Sequence, residues 1–316
     1  MTPRWQVVLS TQAPLAAIGP LPATIALQPL APGAEPGEEH LAADLLVLAP
    51  ELFGLLDRLE EFRSLQTVQV LNAGVEWLVP HMPEGVSLCN ASGVHDIPVA
   101  EWVVASVLSL LHGLPRYHDA QRRAVWDSTG NALTTPPEQI PGEDLHGKSV
   151  TIVGYGSIGR AVAARMAPFG VAVRGVTRHG RDATLTPDRL TGVLAGTDVL
   201  VLLCPLTDET RGLIDAEALA ALPDGAIVVN AARGPVLDQD ALEVELRQRR
   251  LRAALDVTDP EPLPDGHSLW TAPGLLLTPH AAGSSRLWFD RAYAFVGDQL
   301  RRLAGGEALH NVRGDY

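Results

Sequence analysis

The chain has 316 residues, enough for about two packed domains, and 46% of them are hydrophobic, which excludes a largely disordered protein. Twenty-four basic residues against 37 acidic ones leave a net charge of −13, so neither nucleic acid nor an anionic membrane surface is an expected partner. No stretch approaches the roughly 20 apolar residues of a membrane span, and Pro14, Pro20 and Pro22 break up the N-terminal region, so no membrane or targeting segment is expected.

Short apolar runs at Trp5–Leu9, Thr24–Leu27, Asp44–Leu48, Thr67–Val70 and Val86–Leu88 predict the strands of a first, smaller α/β domain. Between them, Gln28 to Glu39 is rich in Pro, Gly and Glu and is expected to be an exposed loop. Asp96-Ile97-Pro98 reads as the cap and first turn of a helix over Val99–Leu111. Its apolar residues go nearly all round, as in a buried helix that joins two domains. Ser128 to Glu143 holds Pro136, Pro137 and Pro141 and is long for a connection, so it reads as an arm packed on a partner or as a mobile loop.

From Val150 onward, strand-like runs at Val150–Val153, Val171–Val176, Val199–Leu203, Ala226–Val229, Arg252–Val257 and Leu275–Thr278 alternate with helical stretches. Those stretches are Ile158–Ala167, Pro187–Leu194, Asp215–Leu222 and Asp240–Arg250, the second weakened by Gly192 and Gly196. The pattern is α/β, a Rossmann-type doubly wound parallel sheet with right-handed crossovers. Cys89 and Cys204 each end an apolar run and are expected to be buried free thiols, which suits a reducing cytoplasm. The ten histidines form no H-E-x-x-H, and no C-x-x-C is present, so metal catalysis is not expected.

The chemistry starts at V-T-I-V-G-Y-G-S-I-G, where a β-branched run turns into G-x-G-x-x-G at Gly154, Gly156 and Gly159. Such a loop makes a tight turn, lets backbone approach a pyrophosphate, and packs a helix closely on a strand. The helix N-terminus then favours the anion. All strands of a parallel sheet end on one edge, which places three more segments near the bound dinucleotide. They are Asn230-Ala231-Ala232-Arg233-Gly234, Asp256-Val257-Thr258-Asp259-Pro260-Glu261-Pro262 and Thr278-Pro279-His280. Arg233 offers a bidentate fork for a carboxylate. His280 can pass a proton to or from a keto or alcohol oxygen, and Glu261 can orient its ring. This trio suits reduction of a 2-oxo acid, or the reverse, with hydride from a nicotinamide.

At these residues the chain resembles the D-isomer-specific 2-hydroxyacid dehydrogenase family, including its glyoxylate/hydroxypyruvate reductases. The likeness rests on the glycine loop, N-A-A-R-G-P-V-L-D-Q-D-A-L, L-D-V-T-D-P-E-P-L-P and T-P-H-A-A-G, and spans about residues 65 to 283. The resemblance implies that Arg233, Glu261 and His280 hold the catalytic roles above. It implies that the backbone of Asn72, Ala73, Gly74 and Val75 helps hold the substrate carboxylate. Cofactor contacts would come from Ser157, Ile158, Cys204, Pro205, Thr210, Ala231 and Asp256, the last at the nicotinamide amide. It also implies a discontinuous, flavodoxin-like substrate domain of residues 1–98 and 284–316 around a dinucleotide domain of residues 99–283. A helix near Ser285 to Leu303 would return the chain, with Leu287, Phe295, Leu300 and Leu303 on its apolar side, and a homodimer would form through the cofactor domain.

Two residues depart from the family pattern. Thr177 stands where the ribose-binding acid usually lies, with Arg178 beside it, and Thr258 stands where an aromatic is common. A 2′-phosphate could then pair with Arg178, so NADP is the expected cofactor, with NAD possible. The Asn72–Trp77 loop has no Lys or Arg and contains Glu76, which favours a small 2-oxo acid such as glyoxylate or hydroxypyruvate. A phosphoglycerate dehydrogenase-like enzyme and a dinucleotide-sensing module without turnover are the alternatives. A formate dehydrogenase of similar architecture would carry glutamine in place of Glu261. Trp288 and Phe289 read either as closing the substrate pocket or as core.

Overall fold

The computed structural model describes residues 4–136, 139–181 and 184–313. Its backbone divides into two compact units, residues 1–95 with 284–316, and residues 96–283. The first half holds strands β1 (Trp5–Ser10), β2 (Ile25–Leu30), β3 (Leu45–Leu48), β4 (Thr67–Val70) and β5 (Ser87–Cys89). The second holds β6 (Ser149–Val153), β7 (Ala172–Val176), β8 (Val199–Leu202), β9 (Ile227–Asn230), β10 (Arg252–Leu255) and β11 (Leu275–Leu277), and β12 (Val312–Arg313) is the last strand among the described residues. Four helices pack on these sheets and carry or brace the site: α1 (Asp96–Leu111), α2 (Ser157–Met166), α3 (Gln239–Arg247) and α4 (Trp288–Gly305).

Each unit is built on a six-stranded sheet, in the orders β12-β5-β4-β3-β1-β2 and β11-β10-β9-β8-β6-β7. Every pairing among these strands is parallel except that of β12 with β5, where Val312 lies opposite Cys89. Strands β3, β4, β8 and β9 are buried along their whole length, which explains the unbroken apolar runs of β3 and β8: a parallel strand covered on both faces has no wet side, and the buried Gln69 of β4 is met instead by Gln299. The antiparallel β12 escapes pattern reading because two residues carry no periodicity.

In the second unit one face of the sheet is covered by α1 and α2, with Val103, Val107, Val162 and Met166 against Val150, Ile152, Val201 and Val229. The opposite face packs Leu219, Leu242 and Leu246 against Leu200, Leu202, Val228 and Leu255. Ile158, Val162 and Met166, at four-residue steps along α2, form the face that meets this core, and the helix closes through Ala167–Phe169 on Gly170, which has a left-handed φ of 72°. In the first unit α4 lays Tyr293, Val296 and Leu300 on the sheet through Val7, Leu9, Leu45 and Val47.

Several expectations are corrected. Gln28 to Glu39 is not all loop: β2 runs on to Leu30, and Glu38–Leu41 forms a helical turn. Pro29 is tolerated because β2 is the sheet edge, where a missing N–H removes no ladder bond. The Pro187–Leu194 stretch splits into a 3₁₀ turn at Pro187–Arg189 and one α turn at Thr191–Leu194, as Gly192 and Gly196 disfavour a longer helix. Leu287 lies outside α4 and is exposed rather than on its apolar side. Trp288 and Phe289 pack in an edge-to-face series, Trp288–Phe289–Tyr293, with His95 stacked on Trp288 at 5.7 Å. The 3₁₀ segment Pro50–Glu61 has no counterpart among the predicted elements.

The arm after α1 is anchored at its base. Arg116 holds Asp127 through Nε at 2.8 Å and Nη2 at 3.0 Å, and the Tyr117 hydroxyl donates to the Thr129 carbonyl at 2.6 Å. On either side of it, Trp126 and Leu133 are 88% and 93% exposed. Pro137, one of its three prolines, lies outside the described residues.

Burial along α3 makes a stability prediction. Leu246 is fully buried while Val244, two residues earlier, is 56% exposed. Leu246→Ala should lower the unfolding free energy in denaturant by about 2–5 kcal/mol and Val244→Ala by no more than about 0.5 kcal/mol. Equal losses would contradict this packing.

Candidate active site

The three glycines of the loop are required for different reasons. Gly154 has a φ of 94°, and a Cβ there would collide with the backbone of Leu203 and Cys204. At Gly159 a Cβ would meet the Gly154 carbonyl at 2.7 Å, so the helix could not pack so closely on its strand. Gly156 is the opposite case: nothing lies within 4 Å of its would-be Cβ, and its φ of −81° suits any residue. No protein contact explains a glycine there, whereas a ligand pressed on this backbone does. Ser157 and Ile158 follow as the first residues of α2. The residues present therefore fit a dinucleotide pyrophosphate, on the strength of an open cradle at Gly156.

The other expected residues come to the same carboxyl edge because every strand of β6–β11 runs the same way. Cys204 and Pro205 follow β8, Ala231 and Arg233 follow β9, Asp256 and Glu261 follow β10, and His280 follows β11. Burial pushes the Cys204 thiol up to about 11, so it stays protonated at neutral pH. Cys89 is buried and raised in the same way. The Thr210 hydroxyl donates to the Pro205 carbonyl at 2.7 Å and accepts from the Thr207 amide at 2.8 Å, which ties that loop into a closed turn.

Three buried polar side chains lock the strand-end loops together. Asn230 donates through Nδ2 to the Arg233 carbonyl at 3.0 Å and accepts the Ala232 amide at 3.0 Å, which folds the turn that presents Arg233. Gln239, the first residue of α3, makes a two-way amide pair with Asp259, at 2.8 and 3.0 Å. Gly234 permits this approach, since a Cβ there would overlap the Thr258 carbonyl. Thr258, in place of the family's aromatic, donates to the Pro260 carbonyl at 2.8 Å.

Asp256 is the third lock, only 3% exposed. One carboxylate oxygen accepts from the Thr278 hydroxyl at 2.5 Å and the Ala281 amide at 2.7 Å, the other from the Ala282 amide at 2.9 Å. Between those anchors His280 has a left-handed φ of 51°, which a non-glycine residue adopts only when its surroundings hold it there. Its amide donates to the Asp256 carbonyl at 2.7 Å. The side chain stands half exposed, with Nδ1 2.7 Å from Glu261 Oε1. A proton on Nδ1 is fixed by that carboxylate, and Nε2 is left without a protein partner among the described residues. Sequence reasoning misses Asn230 and Gln239: an Asn at a strand end before a tight turn is the signal that could find the first, whereas the partner of Gln239 lies 20 residues away and leaves no local mark.

At the neighbouring strand end, Thr177 Oγ1 lies 2.6 Å from Thr184 Oγ1, and Arg178 Nη2 lies 2.5 Å from Glu209 Oε1. Both partners of that ion pair are well exposed. In the other unit, Asn72 to Val75 follow β4 at the carboxyl edge of its sheet.

A glycine cradle on a doubly wound sheet, with a carboxylate-held imidazole on the same edge, is the arrangement of a dinucleotide-linked oxidoreductase. Residues 104–282 match the family described as D-isomer specific 2-hydroxyacid dehydrogenase, NAD binding domain. An uncharacterized protein in the proB 3′ region of Corynebacterium melassecola is 34% identical over 259 residues, 79% of this chain and 78% of that protein. A glyoxylate reductase of Thermofilum pendens is 31% identical over 231 residues, covering 70% and 67%. A D-3-phosphoglycerate dehydrogenase of Methanocaldococcus jannaschii is 28% identical over 280 residues, 85% of this chain, but the chain spans only about half, 51%, of that relative. Among solved structures, a D-isomer specific 2-hydroxyacid dehydrogenase of Xanthobacter autotrophicus Py2, in complex with NADPH and MES, superposes with a TM-score of 0.76 at 29% identity over 98% of both chains. The chain belongs to the D-isomer specific 2-hydroxyacid dehydrogenase family and is an NAD(P)-dependent dehydrogenase of that class.

Proposed function

We propose that this protein reduces a small 2-oxo acid to its D-2-hydroxy acid with NADPH, glyoxylate or hydroxypyruvate being the substrates that fit best. The observation that carries the reading is the 2.7 Å contact of His280 Nδ1 with Glu261 Oε1 on the edge where the glycine cradle opens. When bound, the nicotinamide supplies the hydride. His280 gives a proton from Nε2 to the keto oxygen, and Glu261 holds the ring and stabilises its charged form. Arg233 clamps the substrate carboxylate with its fork, helped by the backbone of Asn72, Ala73, Gly74 and Val75. Gly154, Gly156, Ser157, Ile158, Gly159, Cys204, Pro205, Thr210, Ala231 and Asp256 form the cofactor site.

The choice of glyoxylate or hydroxypyruvate is supported by the Glu76-bearing loop after β4, which has no Lys or Arg, and by the likeness to a glyoxylate reductase. The preference for NADP is supported by Thr177, which presents a hydroxyl where a carboxylate would repel a 2′-phosphate, and by Arg178 beside it. A solved relative binds NADPH. The protein is proposed to work in a reducing cytoplasm, in keeping with its two free, buried thiols. Leu133, bare on an arm pinned at its base, and Trp126, bare just before it, support a homodimer in which each arm packs on the partner.

Steady-state kcat/KM with each cofactor tests the first claim: NADPH should be favoured over NADH, and Arg178→Ala should shrink that preference by roughly tenfold or more. A clear preference for NADH in the parent enzyme would overturn it. For the chemistry, His280→Asn should lower kcat by roughly 10²–10⁴, and Arg233→Lys should raise KM for the acid strongly while sparing cofactor affinity. Near-normal constants for both variants would refute these roles. For assembly, light scattering should give twice the chain mass for the parent and a monomer for Trp126→Glu/Leu133→Glu. A monomeric parent would rule the dimer out.

A further inference from the structure

Asn90 lies at the end of β5, fully buried, although its side chain is polar. Its Nδ2 donates to the Ala73 carbonyl at 2.5 Å, and its Oδ1 accepts the Ser92 amide at 3.2 Å. The next residue, Ala91, donates its amide to the Asn72 carbonyl at 2.8 Å. Two successive carbonyls of the loop after β4 are thus drawn toward residues 90 and 91.

In a trans peptide the C=O and the following N–H point in opposite directions. The carbonyls of Asn72 and Ala73 face residues 90 and 91, so the N–H groups of Ala73 and Gly74 face the other way. Among the described residues neither amide donates to a protein acceptor. Two adjacent N–H groups on one side of a backbone make a small concave donor pair of the kind that binds an anion. With no Lys or Arg from Asn72 to Trp77, and a chain of net charge −13, backbone amides are the donors this loop can offer a carboxylate.

Asn90 is braced in turn by β12 and the residues before it. Its amide donates to the Asn311 carbonyl at 3.2 Å, and Asn311 Nδ2 donates to the Ser92 carbonyl at 3.0 Å. Gln299 of α4 completes the brace, giving Nε2 to Gln69 Oε1 and to the His310 carbonyl, both at 2.9 Å, and accepting the His310 amide at 2.8 Å. A buried amide side chain with this much polar support is placed for direction rather than for packing.

We infer that Asn90 is a positioning residue for substrate binding: by capturing the Ala73 carbonyl it aims the Gly74 N–H, which with the Ala73 N–H receives the carboxylate of the 2-oxo acid. The inference rests on the substrate class proposed above. Asn90→Asp is the sharpest test, because it keeps the size and an acceptor for Ser92 but sets a carboxylate oxygen against the Ala73 carbonyl. With cofactor saturating, KM for glyoxylate should rise roughly tenfold or more while kcat and cofactor affinity stay within about threefold. Asn90→Ala should do the same, with its melting temperature recorded alongside. An unchanged KM in either variant that folds would overturn the inference, as would an equal loss of cofactor binding.

A second measurement does not depend on the variants folding or on turnover. Titration of the cofactor-loaded parent with oxamate should shift the ¹H–¹⁵N resonances of Ala73 and Gly74 more than those of Ser92 and Asn311. Unmoved Ala73 and Gly74 resonances at saturating oxamate would overturn the donor pair. If the parent binds cofactor but reduces no 2-oxo acid, the proposed function fails instead, and the oxamate titration judges the donor pair on its own.

Discussion

A parallel sheet imposes one constraint from which the rest of the site derives: every strand delivers its carboxyl end to the same edge. In β6–β11 this brings a glycine turn, an arginine, a glutamate and a histidine together from positions spread over more than a hundred residues of chain. Loops at strand ends are nonetheless soft, and proton transfer needs groups held to a fraction of an ångström. The buried trio of Asn230, Gln239 and Asp256 supplies that rigidity. Each directs its hydrogen bonds to backbone, or to backbone and one hydroxyl, of a strand-end loop, its own for Asn230 and a neighbouring one for Gln239 and Asp256. Low dielectric strengthens such bonds, which is why they sit below the surface while the groups they aim stand at it.

The consequence is clearest at His280. A left-handed φ on a histidine is unfavourable in isolation. Here the amides on its C-terminal side and the hydroxyl two residues before it are all claimed by one carboxylate, so the strained conformation is the one that satisfies the most donors. The same conformation turns the imidazole toward Glu261. Asp256 therefore carries a positional load that does not depend on any contact with cofactor.

Much of this is legible in the sequence, and the limits are physical. Long apolar runs such as Val199–Leu203 mark central parallel strands, and G-x-G-x-x-G after one of them marks the cradle, because both patterns arise from local geometry. What stays hidden is non-local. Nothing near Gln239 in sequence indicates that it pairs with Asp259, and nothing near Asn90 indicates that it reaches Ala73. Pro29 misleads for a related reason: proline breaks a central strand but not an edge strand, and strand order is a property of the whole sheet. Weak helices fail where glycine meets a short span, as at Gly192.

The strand end at Thr177 and Arg178 shows how a missing charge can matter more than a present one. Arg178 is already paired with Glu209, which at first sight argues against its use for a phosphate. Both side chains are largely in water, however, at 66% and 59% exposure, and such pairs typically contribute only about 0–1 kcal/mol. A 2′-phosphate offers a guanidinium up to two negative charges and a bidentate face, so under the proposed NADP preference Arg178 would exchange Glu209 for the phosphate. What would oppose the approach of that phosphate is a protein carboxylate hydrogen-bonded to the ribose, and Thr177 leaves that position without one. Its hydroxyl is held by Thr184, which keeps the position uncharged and compact. Cofactor choice on this reading is decided less by the arginine's attraction than by the absence of repulsion one residue before it.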